Sequence, residues 1–161
     1  MSDYKAIVPR LNGPLVPILS AFDDQQRLDT ESVTQWVESL IDRGIKHFWT
    51  THGTTHFMCL ADDEIVELTR CVASVTRGRS IFIASTAYHW PLDRTRAFIQ
   101  QAAQWGVDAV KVQVDWRSRP PEESQLLDFY HAVAAQSPFP LLAYTFGAPG
   151  ITLAGLISCT P

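Results

Sequence analysis

Gly53-Thr54-Thr55 follows an apolar segment, Ile45 to Thr50, and precedes a helical stretch. A strand that runs into a glycine and two hydroxyls offers backbone N–H groups and side-chain O–H donors on one short arc. Such a turn can hold a small carboxylate without a full counter-charge. His56, the next residue, adds a ring that can contact an anionic ligand. His52 and His56 share an H-x-x-x-H spacing, which on a helix would set two metal ligands on one face. Here the segment is a strand end and a turn with no third ligand nearby except Cys59, so no metal is expected.

The elements that must position this turn are read from periodicity. Leu15 to Leu19 is a short apolar run and reads as a buried strand. Thr30 to Arg43 carries Val33, Trp36, Val37, Leu40 and Ile41 at helical spacing, with Asp29 or Thr30 as cap and Gly44 beyond the end. Ile45 to Thr50 is a second strand. Asp62, Asp63 and Glu64 give the next helix an acidic first turn, suited to the positive end of its dipole and expected to be solvated, and Arg77-Gly78 closes it. Ser80 to Ser85 is a third strand, followed by a helix that Pro91 opens and Gly106 ends. Asp108 to Val114 is a fourth strand, and Pro120-Pro121-Glu122-Glu123 starts a fourth helix. Pro138 to Tyr144 is a fifth strand, and Ile151 to Cys159 reads as the start of a fifth helix. His89-Trp90 falls at the third strand's end, placed either to line the same mouth or to cap the helix after it; Trp36, Trp49 and Trp105 read as core.

Apolar strands alternating with amphipathic helices imply an α/β protein with a parallel sheet and right-handed crossovers. From the pattern alone a doubly wound sheet and a barrel both stay open. The doubly wound option often brings a glycine-rich phosphate turn after its first strand, where this chain has Ser20-Ala21-Phe22-Asp23. A complete eightfold barrel takes about 250 residues, so in the barrel reading residues 1–161 form a single domain that is the N-terminal portion of the ring, about five strands and four to five helices.

Composition excludes other classes. With 13 Lys and Arg against 17 Asp and Glu, the net charge of −4 gives no basic face for nucleic acid. No window approaches a membrane-spanning apolar run, and Met1 to Asn12 has no apolar signal core. Cys59, Cys71 and Cys159 make neither a disulfide framework nor a zinc pattern; three reduced thiols in a cytoplasmic protein are expected.

Four collinear segments carry a specific resemblance. Gly13 to Asp24 with Arg27-Leu28-Asp29, Gly53 to Glu64, Asp108 to Val114 with Arg119-Pro120-Pro121-Glu122-Glu123, and Pro140 to Tyr144 fall in order and at family-like spacing. Together they resemble the dihydrodipicolinate synthase and N-acetylneuraminate lyase family, in which the threonine pair stands in a Gly-Thr-Thr-Gly-Glu-Phe segment and the fifth strand ends in a tyrosine. The resemblance implies a (β/α)8 barrel and class I aldolase chemistry on pyruvate or a related 2-oxo acid through a Schiff base, without a cofactor. It implies a small-molecule partner, no nucleic acid or membrane, and a homo-oligomer in the full-length family. Carried over residue by residue, Gly53, Thr54 and Thr55 bind the substrate, Thr54 joins the proton relay and Tyr144 is the relay tyrosine, while His56, which has no family counterpart, is a substrate-binding candidate on its own chemistry.

The departures are equally specific. His56 alone replaces the family's Gly-Glu, Trp116 and Arg117 stand where two tyrosines are frequent, and Thr145 to Gly150 contains no arginine for the substrate carboxylate. Residues 146–161 match poorly. The family's nucleophilic lysine belongs on a sixth strand, which would lie beyond Pro161, so no nucleophile is identified at the family's position and the chain is expected to be inactive alone. The alternative is a non-catalytic half-barrel that binds or regulates a full-length relative; an unrelated doubly wound binding domain is a third reading. Lys111, mid-strand in Val110-Lys111-Val112, is the lesser candidate for the amine: strand alternation can turn it into a barrel lumen, where desolvation lowers its pKa. The opposing reading has its stem packed and its ammonium snorkelling outward. Lys5 and Lys46 are expected in solvent.

Overall fold

The computed structural model describes residues 7–51, 53, 55–114 and 123–144. Five strands alternate with four helices: β1 (Val16–Pro17), α1 (Thr30–Asp42), β2 (His47–Trp49), α2 (Asp62–Thr76), β3 (Ile81–Ser85), α3 (Leu92–Trp105), β4 (Ala109–Gln113), α4 (Glu123–Ala134) and β5 (Leu141–Tyr144). The sheet order is β1-β2-β3-β4-β5 and every neighbouring pair is parallel. A doubly wound sheet reverses its strand order at a switch point. This one never does, which is the order of a (β/α)8 barrel wall.

The helices form where the sequence supplies both a cap and a stripe. Asp29 accepts hydrogen bonds from the Ser32 amide (3.0 Å) and hydroxyl (2.6 Å), closing the first turn of α1. Val33, Val37 and Ile41 then face the sheet. In α2 the Glu64 carboxylate reaches back to the Ala61 amide at 2.8 Å and Ile65, Leu68 and Val72 are buried. α3 ends at Gly106, whose φ of 83° is left-handed and whose missing Cβ would lie 2.6 Å from Arg77 Nε.

The sheet has two differently packed faces. Phe48, Phe82, Ala84, Val110 and Val112 point outward into the main core beneath the helices. Ile81, Ile83 and Ala109 point to the inner face, where they meet Ile7, Leu11, Leu15, Trp49 and Leu142. β3 is buried at all five positions, and Ile81 to Ala84 alternate between the two cores. Fully burying such side chains contributes roughly 1.5–3 kcal/mol apiece, which makes β3 and β4 the anchor of the wall.

The outer strands differ from the sequence expectation. β1 pairs over two residues, not over Leu15 to Leu19, and Leu19 is exposed. β1 pairs only with β2 among the described residues, and an edge position tolerates Pro17, which has no amide to donate. The expected helix over Ile151 to Cys159 lies outside the described residues. Among the described residues no helix is long and apolar enough to cross a membrane.

Candidate functional site

The carboxyl ends of the strands gather the chemistry. Trp49 ends β2 and Tyr144 ends β5, and Thr50 continues the β2 ladder by donating its amide to Ile83 O at 3.1 Å. The Ser85 hydroxyl donates to the Thr50 carbonyl, clamping the end of β3 to that of β2. Just beyond, Thr55 is buried and its hydroxyl donates to Thr51 O at 2.6 Å. A hydroxyl has one proton, so the Thr55 side chain serves the cradle by closing its turn, and a carboxylate there would be met by other donors. Gly53 is exposed with open space around its Cα. His56 is exposed in a left-handed conformation (φ 56°) and opens the 3₁₀ turn Phe57–Cys59. Thr54 and His52, like Trp116, Arg117 and Thr145 to Gly150, lie outside the described residues.

Lys111 settles which face it occupies. Its register partners are Ser85 on β3 and Leu142 on β5, and its side chain is 1% exposed. The amine lies 4.8 Å from the Trp49 ring centre and 4.6 Å from that of Tyr144, both cation–π distances. The outward-snorkelling reading is therefore excluded: Lys111 lines the inner face. Burial pushes its pKa down from 10.5 to about 8. Lys46 is exposed, as expected.

Around this amine the inner face keeps open valences. Lys111 Nζ, Trp49 Nε1 and Gln113 Oε1 are buried with no hydrogen-bond partner among the described residues. Lys111 and Gln113 are two apart on one strand and share a face. Tyr144 is tied to α4 through its carbonyl, which accepts from the Tyr130 hydroxyl at 3.4 Å.

A sequence profile of the Dihydrodipicolinate synthetase family matches residues 10–156, nearly the whole chain. The chain belongs to that family. A 4-hydroxy-tetrahydrodipicolinate synthase from Oenococcus oeni is 25% identical over 143 residues, which cover 88% of this chain and 48% of that protein. The structure of a dihydrodipicolinate synthase from Bacillus anthracis superposes with a TM-score of 0.76 at 25% identity, over 91% of this chain and 51% of that one. The N-acetylneuraminate lyase from Mycoplasma synoviae superposes with the same score at 18% identity, over 90% of this chain and 50% of that one. The chain thus spans about half the length of the curated relatives it matches.

In this family member the strand ends are legible in the sequence, but part of the lining is not. Trp49 packs against the inner core, as its reading as a core and interface residue expects, and its ring also lies on the Lys111 amine. Gln113 could have been found from its parity with Lys111. The acidic start of α2 is also more than a solvated turn. Asp62 accepts hydrogen bonds from Trp90 Nε1 at 2.6 Å and His89 Nε2 at 3.1 Å. Partial burial works to raise its pKa, but these two hydrogen bonds outweigh it and hold the carboxyl below its usual value. His89 and Trp90 therefore bolt the β3–α3 loop to α2, and His89 borders a small cleft of about 60 Å³ with Phe57, Met58 and Tyr88. Burial raises the Cys71 thiol to about 11, so that sulfur is inert at neutral pH. Among the described residues no three His, Cys, Asp or Glu side chains converge as a metal site.

Proposed function

We propose that this chain handles pyruvate or a related 2-oxo acid in Schiff-base lyase chemistry, with Gly53, Thr54, Thr55 and His56 receiving the carboxylate and Tyr144 relaying protons. The single observation that carries this reading is the convergence on Tyr144, the residue that the resemblance makes the relay tyrosine, of a buried amine with no hydrogen-bond partner among the described residues. Class I aldolase chemistry needs a desolvated amine, an anion cradle and a proton relay in one place. The carboxyl ends of the strands are where barrels of this fold put their sites.

The aldehyde partner is a separate matter from the 2-oxo acid, and on this reading turnover needs the family's full ring. The chain alone binds the 2-oxo acid without releasing an aldol product. Titration of the chain with pyruvate, followed by backbone NMR, tests it. Shifts concentrated at Gly53, Thr55, His56 and Tyr144 are expected, and pyruvate should weaken in Thr55→Val. Shifts scattered over the helices, or none at all, would remove the reading.

A further inference from the structure

We propose that Lys111 on β4 is itself a carbonyl-capturing amine, held between Trp49 and Tyr144 and able to form an imine with a 2-oxo acid. The proposal rests on the reading above for its substrate class, but it assigns the bond to a residue of this chain and not to the lysine that the resemblance puts on a sixth strand.

The placement carries the inference. Lys111 starts from the middle of β4, level with Leu142, yet its amine reaches the ring of Tyr144, the last residue of β5. The ring of Trp49, the last residue of β2, lies on it as well. The nitrogen thus lies on the inner face between the ring of Trp49, in register with Ile83 and through it Ala109, and the ring of Tyr144, in register with Gln113. A lysine kept only to fill space would be a poor choice there. An ammonium buried with ring faces but no hydrogen-bond or ion-pair partner among the described residues is costly, and an apolar side chain of similar length would pack without that cost. No carboxylate among the described residues comes within ion-pair distance of Lys111. The amine is accordingly biased towards its neutral, nucleophilic form by its surroundings alone.

Two further open valences suit the adduct. Trp49 Nε1 is a buried donor and Gln113 Oε1 a buried acceptor, each without a partner among the described residues. Buried polar atoms are ordinarily satisfied, and a group of them on one face calls for a ligand or ordered water. In the proposed step the lone pair of Nζ adds to the C2 carbonyl carbon, forming the C–N bond. One amine proton moves to the former carbonyl oxygen to give a carbinolamine. The C–O bond then breaks, the oxygen leaves as water with the second amine proton, and a neutral imine remains. No redox partner is required. Trp49 Nε1–H is available to an oxygen of the adduct, and Gln113 Oε1 to its O–H or N–H.

Reductive trapping of the full 161-residue chain decides the matter. The chain has three lysines, Lys5, Lys46 and Lys111, so the assignment is unambiguous. Pyruvate with borohydride should add the mass of one reduced pyruvyl group, mapped to the peptide containing Lys111; lactate with borohydride should add nothing. Lys46→Met should label like the parent, while Lys111→Met and Lys111→Arg should fall by about tenfold or more. Site mapping on the unmutated chain keeps the test valid even for a variant that fails to fold. An adduct on Lys5, Lys46 or the N-terminus, or undiminished labelling of Lys111→Met, overturns the proposal. Pyruvate binding seen by NMR without any adduct overturns the Lys111 assignment and leaves the 2-oxo acid reading intact; absence of both removes the two together.

Discussion

Lys111 shows how one residue can carry a stability cost that only its environment reveals. Its folded pKa of about 8 lies below the 10.5 of an exposed lysine, because burial disfavours the charged form. The unfolded chain therefore binds the proton more tightly, and stability rises with pH between about 8 and 10.5. Below that window the protonated amine destabilises the fold by about 3 kcal/mol, at roughly 1.4 kcal/mol per unit. Denaturant titrations should show the parent gaining stability from pH 8 to 10. Lys111→Met should be more stable than the parent at pH 7, by about 2 kcal/mol, and flat across the same range. A parent with no such rise would contradict a desolvated amine. Thr55→Val tests the neighbouring turn. It removes the hydrogen bond to Thr51 O and should lower stability by about 1 kcal/mol in the same titration. At this scale the sequence made Lys111 legible as a choice between two faces, since alternation fixes the period of a strand but not its phase. Trp49 was illegible because its contact crosses from β2 to β4, and no local spacing encodes such a pair.

Helices were the most legible elements, since their caps, stripes and terminal glycines are all local in sequence. Asp29 caps α1 and Gly106 ends α3 as their residue types require. What the sequence concealed is how the helix ends are joined. Asp62 reads as one of three dipole-suited acids, yet it receives both Trp90 and His89 from a loop 27 and 28 residues away. Asp62→Ala should therefore loosen that loop as well as the start of α2, with a loss of about 1–3 kcal/mol by thermal or chemical unfolding. The indole of Trp90 should report it through altered fluorescence. The pH sign is the same as for Lys111, because both folded values are lowered, but here the charged form is the stabilised one and the window lies in acid. The folded pKa of Asp62 is lowered, so its contribution is present above the ordinary carboxyl pKa and fades as pH falls through the folded value. Parent and Asp62→Ala should converge in stability in acid, and parallel curves would remove Asp62 from this role.

At the scale of the whole molecule, the βα alternation was legible but the choice between wall types was not. Both a barrel and a doubly wound sheet are built from the same local units, and only the spatial order of the strands separates them. That order is set by long-range pairing, here β1-β2-β3-β4-β5 without reversal. It leaves β1 and β5 with one ladder partner each among the described residues, while β2, β3 and β4 have two. The cores follow the same gradient: β3 is buried throughout, and no residue of β5 is fully buried. Amide exchange follows local opening, which is least frequent where both faces and both edges are covered. The amides of Ile83, Ala84, Val110 and Val112 should therefore exchange slowest, through global unfolding, and those of Leu142 and Tyr144 faster by about tenfold or more. Dilution adds a second discriminator. An open edge exposes unpaired amides and carbonyls that another strand can take up. If β5 amides are as protected as those of β4 at high protein concentration and lose that protection on dilution, a second polypeptide is completing the wall. In a sample of this chain alone that polypeptide is a second copy, and the outcome would favour a half-barrel that completes its wall by pairing over a chain that binds its 2-oxo acid as a monomer.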